Sequence, residues 1–203
     1  MRFVGCPVSC AIVVGMTDPL LPDVVSELAL SNAFLGRIIE VCIVTEDCHR
    51  TMAGLARLGI GPFRVYTFDD TNLAMPTYRG EVSPFSLRVC FATNKDLTWE
   101  IMQPLRGRTI MREFLDRHGE GIHHLAFDCN GAPWDQRLAA FAERGFGPVQ
   151  SGRWMDQNAF CFFDTEAATT TCFETYHFPE GFEYPDPEEW YPAPPPAPSA
   201  PAT

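Results

Sequence analysis

An internal repeat constrains the fold of this 203-residue chain more than any other feature of its sequence. Residues 39–43 align with residues 123–127, and residues 55–62 align with residues 141–148, each of these last two segments ending in Gly-Pro. Alternating apolar runs indicate strands and longer amphipathic runs indicate helices, so each half is predicted to be β-α-β-β-β. One such half leaves a face of its curved sheet bare, and two halves are therefore expected to pack together.

The repeat also predicts the domain organisation. Residues 37–178 are expected to form one α+β domain of paired βαβββ modules, 37–105 and 121–178, in a curved mixed sheet around a cavity. Residues 1–36 are interpreted as an N-terminal extension. The proline-rich residues 179–203 are interpreted as an extended or disordered tail.

The hydrophobic pattern and the Gly/Pro positions set the expected elements. Strands are predicted near 37–44, 63–69, 86–93, 97–103, 122–128, 149–152, 157–164 and 169–176, and helices over 23–30, 46–58, 106–118 and 133–144. The aromatic residues between 181 and 191 are expected to pack back on the domain or on a second subunit.

Composition limits the classes of partner. The chain carries 15 basic and 26 acidic residues, a net charge of −11, which argues against a nucleic-acid or membrane partner. No apolar run has the length of a membrane span, and Pro7 interrupts the short apolar start, which makes a signal peptide the less favoured interpretation. The eight cysteines form no CxxC pair, so we expect reduced thiols in a cytoplasmic protein.

The repeat predicts a cluster of ionisable side chains. Glu40 stands in the first half where His124 stands in the second, and a looser match sets Glu100 against Glu174. If the halves are related by a pseudo-two-fold axis, these four side chains converge in the cavity. Buried like charges cost several kcal/mol, so either some carboxyls are protonated or a cation binds. A divalent metal is the simplest solution, and Mg, Mn, Fe, Co, Ni or Zn would suit one nitrogen and three oxygens.

Two alternatives to these ligand assignments are open. His123 and His124 are adjacent in a predicted strand and should point to opposite faces, so at most one is a ligand, and both could instead be structural. Glu40 could be a strand-edge residue that faces water, with Ile39 and Val41 forming the buried face.

The repeat, together with Gly-Glu-Gly-Ile-His-His-Leu-Ala-Phe over 119–127 and Trp-Glu-Ile-Met-Gln-Pro-Leu over 99–105, resembles the vicinal oxygen chelate superfamily. This group contains glyoxalases, bleomycin-resistance proteins and extradiol dioxygenases, and the chain looks most like its methylmalonyl-CoA epimerase and glyoxalase branch. The resemblance implies a metal ligand on the first and the last strand of each half, and it implies that His123 is not one. The ligands carried over are Glu40, Glu100, His124 and Glu174. The branch usually has histidine at the position of Glu40, and this difference makes the site more anionic.

The resemblance further implies a metal-dependent isomerase or lyase that acts on a small carbonyl compound through proton abstraction and an enolate-like intermediate. Glu174 is the first candidate for the base and Glu100 the second. The second base of the epimerase pattern lies near residues 86–89, where this chain has Arg88. Arg88 would suit a substrate carboxylate or phosphate, or it is a solvated arginine at a strand edge.

The candidate substrate-binding residues are Arg88, Trp99, Met102, Trp154 and Asn158. A homodimer is expected. Two other functions are compatible with the same cavity. One is a metal-free, resistance-type protein that binds a small molecule, and the other is a biosynthetic cyclase or dehydratase that uses acid–base residues alone.

Overall fold

The computed structural model of the chain describes residues 34–196. The predicted helix over 23–30, most of the N-terminal extension and the last seven residues lie outside this range. Within it, no helix has both the length and the apolar character needed to cross a membrane.

The described range forms eleven strands, four α-helices and one short 3-10 turn over Cys129–Gly131. The strands are β1 Ile38–Val44, β2 Phe63–Phe68, β3 Leu73–Tyr78, β4 Glu81–Val82, β5 Phe85–Asn94, β6 Leu97–Gly107, β7 Gly121–Phe127, β8 Pro148–Trp154, β9 Asn158–Phe163, β10 Cys172–His177 and β11 Glu189–Tyr191. The helices are α1 Cys48–Ala56, α2 Ile110–His118, α3 Trp134–Glu143 and α4 Glu166–Thr169.

All eleven strands belong to one mixed, curved sheet in the order β11-β2-β5-β6-β1-β7-β10-β9-β8-β3-β4. The first strands of the two halves, β1 and β7, pair antiparallel at its centre. Each also pairs in parallel with the last strand of its own half, β6 or β10. The predicted α+β fold of paired βαβββ modules is therefore confirmed, with the pseudo-two-fold axis between β1 and β7.

Three strands are additional to the predicted repeat. The hairpin β3–β4 is inserted between β2 and β5, and β3 crosses to the second half to pair with β8. In the opposite direction, β11 follows the second half and pairs with β2 of the first. The second half thus gains an edge strand, β3, from the first half. The first half gains β11 from the segment that follows the second half. The predicted strand over 169–176 begins only at Cys172, because α4 and the left-handed Thr170 precede it.

Local chemistry sets the helix ends. The Asp47 carboxylate accepts a hydrogen bond from the amide of Arg50 at 3.0 Å and begins α1. The Thr109 hydroxyl accepts one from the amide of Arg112 at 3.0 Å and begins α2. Gly119, with φ of 76°, ends α2 and turns the chain into β7.

The helices occupy different sides of the sheet. Met52 of α1 and Phe141 of α3 are buried in two separate outer cores, and Phe141 stacks on Phe163 of β9 with ring centroids 3.6 Å apart. Leu115 and the other buried residues of α2 instead join the inner core on the concave side. The concave side therefore holds the largest core and, beside it, the cavity described next.

Candidate metal centre

The four central strands of the sheet each contribute one ionisable side chain to a single buried cluster. Glu40 lies on β1, Glu100 on β6, His124 on β7 and Glu174 on β10, and none is more than 3% exposed. One nitrogen or oxygen from each lies within 4.8 Å of the others. The structure thus brings together all four side chains that the repeat equates.

Strand alternation explains why Glu40 reaches this cluster. Along β1, Glu40, Cys42 and Val44 are buried, whereas Ile39 and Val41 are only partly buried on the other face. The alternative in which Glu40 faces water is therefore wrong.

Two β-bulges precede the equivalent ligands of the two halves. The pairing of β1 with β7 skips Ile39 directly before Glu40, and it skips His123 directly before His124. A bulge places two residues of one strand opposite one residue of its partner and re-aims their side chains. The repeat therefore includes the backbone irregularity beside the site as well as the strands themselves.

The bulge also explains why His123 and His124 are not on opposite faces of the sheet, as the sequence predicts. Strict alternation would send them to opposite faces, but Nδ1 of His123 lies 2.8 Å from Nδ1 of His124. His123 is 3% exposed and packs its ring edge-on against Phe114 of α2. Burial, followed by the charge of His124, lowers the pKa of His123 well below its usual range. A neutral His123 can accept a hydrogen bond from Nδ1–H of His124, which leaves Nε2 of His124 to face the carboxylates.

The Nε2 atom of His124 is the centre of the carboxylate contacts. It hydrogen-bonds to Glu100 Oε2 at 3.1 Å, and it lies 3.1 Å from Glu174 Oε2. Its single N–H points at Glu100, so Glu174 Oε2 is buried without a hydrogen-bond partner. A buried carboxylate oxygen without a partner costs free energy, which a bound cation would recover.

The protonation of the cluster reflects its three carboxylates. Burial and then the charges of Glu100 and Glu174 raise the pKa of Glu40 well above its usual value. Burial also raises the pKa of Glu174. For His124, burial lowers the pKa, but the adjacent carboxylates of Glu100 and Glu174 outweigh burial and raise the pKa to about 9. Without metal, protons therefore supply the compensating charge.

The donor set fits a divalent ion. Three carboxylates and one imidazole are ligands of hard and borderline metals, and the oxygen without a partner at Glu174 lies among them. Cys42 forms a second, overlapping group with Glu100 and His124. Burial and the nearby carboxylates raise the pKa of the Cys42 thiol, so it remains protonated and is the poorer ligand.

A cavity opens beside the cluster and has a volume of about 40 Å³. Half of its wall is aromatic. The lining residues are Glu40, Phe68, Leu87, Phe91, Thr98, Glu100, Met102, Asn158, Phe160, Phe162, Glu174, Tyr176, Phe178 and Tyr184. Since the centre of one water molecule needs about 10–15 Å³, the cavity has room for about three water molecules.

The structure separates the five candidate substrate-binding residues. Met102 and Asn158 line the cavity, and the Oδ1 atom of Asn158 is buried without a hydrogen-bond partner. Trp154 lies behind the wall, where it stacks on Phe68 with ring centroids 4.6 Å apart.

Arg88 and Trp99 do not reach the cavity. Leu87 and Phe91 of β5 line it, so Arg88 between them faces the other side of the sheet. Glu100 faces inward, so its neighbour Trp99 packs outward in the core beneath α1. These two expectations fail because Arg88 and Trp99 each stand next to residues that line the cavity, and neighbouring residues of a strand point to opposite faces of the sheet.

Some of the cavity wall has no counterpart in the sequence prediction. Phe160 and Phe162 of β9 face inward by alternation, which the strand pattern could have indicated. Phe178 and Tyr184 come from the segment after β10, where Phe178 is the last residue of the predicted domain and Tyr184 belongs to the predicted tail. Their only signal in the sequence is the high aromatic content of residues 178–191.

Solved structures share this fold. Methylmalonyl-CoA epimerase from Mycobacterium tuberculosis is 18% identical with a TM-score of 0.53, and the match covers 71% of this chain and 88% of that one. A Streptomyces coelicolor methylmalonyl-CoA epimerase variant in complex with 2-nitronate-propionyl-CoA is 19% identical with a TM-score of 0.54, covering 74% and 99%. A hypothetical protein from Bacillus halodurans is 15% identical with a TM-score of 0.52, covering 73% and 98%.

The sequence comparisons add the family. No curated protein matches the chain. A family model described as Glyoxalase/Bleomycin resistance protein/Dioxygenase superfamily matches residues 40–162, which is more than half of the chain. The resemblance stated from the sequence is therefore confirmed, and the chain belongs to the glyoxalase/bleomycin resistance protein/dioxygenase superfamily.

Proposed function

We propose that the chain is a metal-dependent isomerase or lyase that removes a proton from the carbon beside the carbonyl of a small substrate. One observation carries this proposal: three carboxylates and one imidazole converge within 4.8 Å in a buried site. No lysine or arginine among residues 34–196 belongs to that cluster or lines its cavity. A protein that only bound a small molecule would have no use for such a costly arrangement of like charges.

Glu40, Glu100, His124 and Glu174 would hold the ion. When bound, a divalent metal polarises a substrate carbonyl and lowers the pKa of the adjacent C–H. His123 would position His124 through the 2.8 Å contact between their Nδ1 atoms.

Glu174 is our first candidate for the base. Its Oε2 is buried and without a hydrogen-bond partner, and Glu174 lines the cavity, so this oxygen is available to accept a proton there. Glu100 also lines the cavity, but its Oε2 already accepts a hydrogen bond from His124. The aromatic wall would exclude water from the reacting carbon.

Metal content is the first test. The untagged protein should contain close to one divalent ion per chain after loading, and the His124→Ala and Glu174→Ala variants should lose it. Glu143→Gln, a change at an exposed glutamate on α3, is the matched control and should retain the ion. Absence of metal from wild-type protein under every loading condition would refute the proposal.

Proton abstraction is tested separately, because it needs no knowledge of the natural substrate. Loaded protein and simple α-hydroxyketones are incubated in D₂O, and exchange of the C–H beside the carbonyl is followed by NMR. Glu174→Gln should abolish the exchange. Binding of ketones without exchange and without metal would instead support the metal-free binding protein, which the aromatic cavity wall favours as the second candidate.

A further inference from the structure

The outer face of the sheet carries a pair of cysteines beneath the start of α1. Cys48 is the first residue of α1, and Cys90 lies on β5 in the same outer core as Met52. Phe91 lines the cavity, so its neighbour Cys90 points to the opposite face of the sheet. Both cysteines are free thiols, and they are close enough to hydrogen-bond to each other. The pair is therefore separate from the ionisable cluster in the cavity.

The surroundings of Cys48 are those of a nucleophilic thiol. Its sulfur lies 3.7 Å from Nδ1 of His49, and Nε2 of His49 lies 3.0 Å from Oε2 of Glu189 on β11. A thiol beside an imidazole that is itself oriented by a carboxylate is an arrangement that activates cysteine. The start of α1 adds the partial positive charge of a helix N-terminus, which also favours a thiolate.

Arg88 supplies a further positive charge beside the pair. It stands two residues before Cys90 on β5 and faces the same side of the sheet, and its Nε is buried with no hydrogen-bond partner among residues 34–196. The hydrogen bond from Cys90, together with the charges of His49 and Arg88, outweighs burial and the charge of Asp47 and lowers the pKa of the Cys48 thiol. The same contact and burial raise the pKa of Cys90. The proton therefore belongs to Cys90, and Cys48 carries the thiolate.

Another buried thiol of the chain shows that burial alone does not create these conditions. Cys129 is 2% exposed, as Cys48 is. However, its thiol donates to the Phe127 carbonyl and the Thr175 hydroxyl, and burial raises its pKa. Cys129 is therefore a matched internal control for Cys48.

We propose that Cys48, activated by His49 and Arg88, is a peroxide-reactive thiol, and that Cys90 resolves its oxidation product to a reversible Cys48–Cys90 disulfide. The oxidant is hydrogen peroxide or a small hydroperoxide, because Cys48 is only 2% exposed. The side chain of His49 beside it is 49% exposed, so its movement gives a small molecule access to the sulfur. The disulfide would tie the start of α1 to β5. This site is independent of the proposed enzyme activity, since neither cysteine lines the cavity.

The reaction has two steps. The Cys48 thiolate attacks one oxygen of hydrogen peroxide, so that an S–O bond forms, the O–O bond breaks, and hydroxide leaves and takes up the proton that Cys48 had released. The Cys90 sulfur then attacks the sulfur of the sulfenic acid, the S–S bond forms, the S–O bond breaks, and the hydroxyl leaves with the Cys90 proton as water. Two thiols are oxidised, and one peroxide is reduced to two water molecules.

The first test maps the oxidation of the full-length protein. Reduced protein is treated with a few equivalents of hydrogen peroxide in the presence of a chelator, the remaining thiols are alkylated, and the peptides are identified by mass spectrometry without reduction. We expect the linked Cys48–Cys90 peptide as the main product, formed at least about tenfold faster than Cys129 is oxidised, and lost again with dithiothreitol. Oxidation of Cys48 no faster than that of Cys129, or disulfides between other cysteines instead, would overturn the proposal.

Two cysteine variants separate the steps. Cys90→Ser should accumulate the sulfenic acid at Cys48, where dimedone captures it, and Cys48→Ser should leave Cys90 reduced. Cys129→Ser should behave as wild type. Failure of dimedone to label Cys48 in folded Cys90→Ser, or oxidation of Cys90 in folded Cys48→Ser, would contradict the assigned roles. If a variant does not fold, the map of the wild-type protein decides the proposal alone.

The role of charge is tested at Arg88. Arg88→Gln should slow the formation of the disulfide by at least about threefold, whereas Arg88→Lys keeps the positive charge and should retain most of the rate. Arg57→Gln, at an exposed residue that follows α1, is the control and should match the wild-type rate. Equal rates for Arg88→Gln and Arg88→Lys, both folded by circular dichroism, would refute activation by the charge of Arg88.

Discussion

Replacing Glu40 with glutamine should flatten the pH dependence of stability in the metal-free protein. Burial and the neighbouring charges of Glu100 and Glu174 raise the pKa of Glu40 well above its usual value. Above pH 4.5, the usual value for a glutamate, the folded protein therefore keeps more of this proton than the unfolded chain does. A carboxyl with a raised pKa makes the native state bind more protons, so the free energy of unfolding falls as the pH rises.

One retained proton corresponds to about 1.4 kcal/mol per pH unit. Between pH 5.5 and 6.5 the wild-type protein should therefore lose more stability than Glu40→Gln, by up to about 1.4 kcal/mol. The variant keeps the shape of the protonated side chain, so cavity or packing effects do not confuse the comparison.

Urea denaturation at pH 5.5 and pH 6.5, in the presence of a chelator, measures the difference. Glu143→Gln, the exposed change on α3, should follow the wild-type pH profile. Parallel profiles for wild type and Glu40→Gln would refute the reasoning, because they would show that Glu40 is ionised in the folded, metal-free protein.

Three further perturbations have defined outcomes. When the free metal concentration is a hundred times Kd, adding a chelator should lower the free energy of unfolding by about 2.7 kcal/mol. The loss is measured as a lower Tm, and an unchanged Tm would contradict metal binding. Phe141→Ala removes the ring stacked on Phe163 and should cost about 3–5 kcal/mol in urea denaturation, whereas a cost below 1 kcal/mol would mean that the outer core rearranges. Gly152→Ala places a Cβ 2.8 Å from Phe160 in the cavity wall and should lower the free energy of unfolding by about 1–3 kcal/mol in the same assay. An unchanged free energy of unfolding would show that the Phe160 ring can move aside without cost.

The ionisable cluster could be predicted from the sequence because it depends on two simple regularities. The repeat equates Glu40 with His124 and Glu100 with Glu174, and strand alternation carries all four to one face. The same alternation, applied to Trp99 beside Glu100, would have placed that tryptophan outside the cavity.

Other features could not be read from local patterns. The bulge at His123 appears only in the pairing of β7 with β1, and the contact between the two histidines depends on it. β3 contains Pro76 and pairs with β8, more than 70 residues away in sequence, so neither composition nor period indicates a strand there. β11 is three residues long within proline-rich sequence and exists because the edge of β2 is available to it.

The exchange of edge strands makes the two halves of this duplicated chain inseparable. A fragment that ended near residue 105 would keep β3 but lose β8, its pairing partner, and would also lose β11 from the edge of β2. A fragment of the second half alone would lack the strand that covers β8. Exposed edges of this kind invite aggregation, so neither fragment should be soluble on its own, whereas the two co-expressed should reassemble. The exchanged strands thus join the two similar halves into one folding unit, and a gene split between the halves would need both products to form the fold.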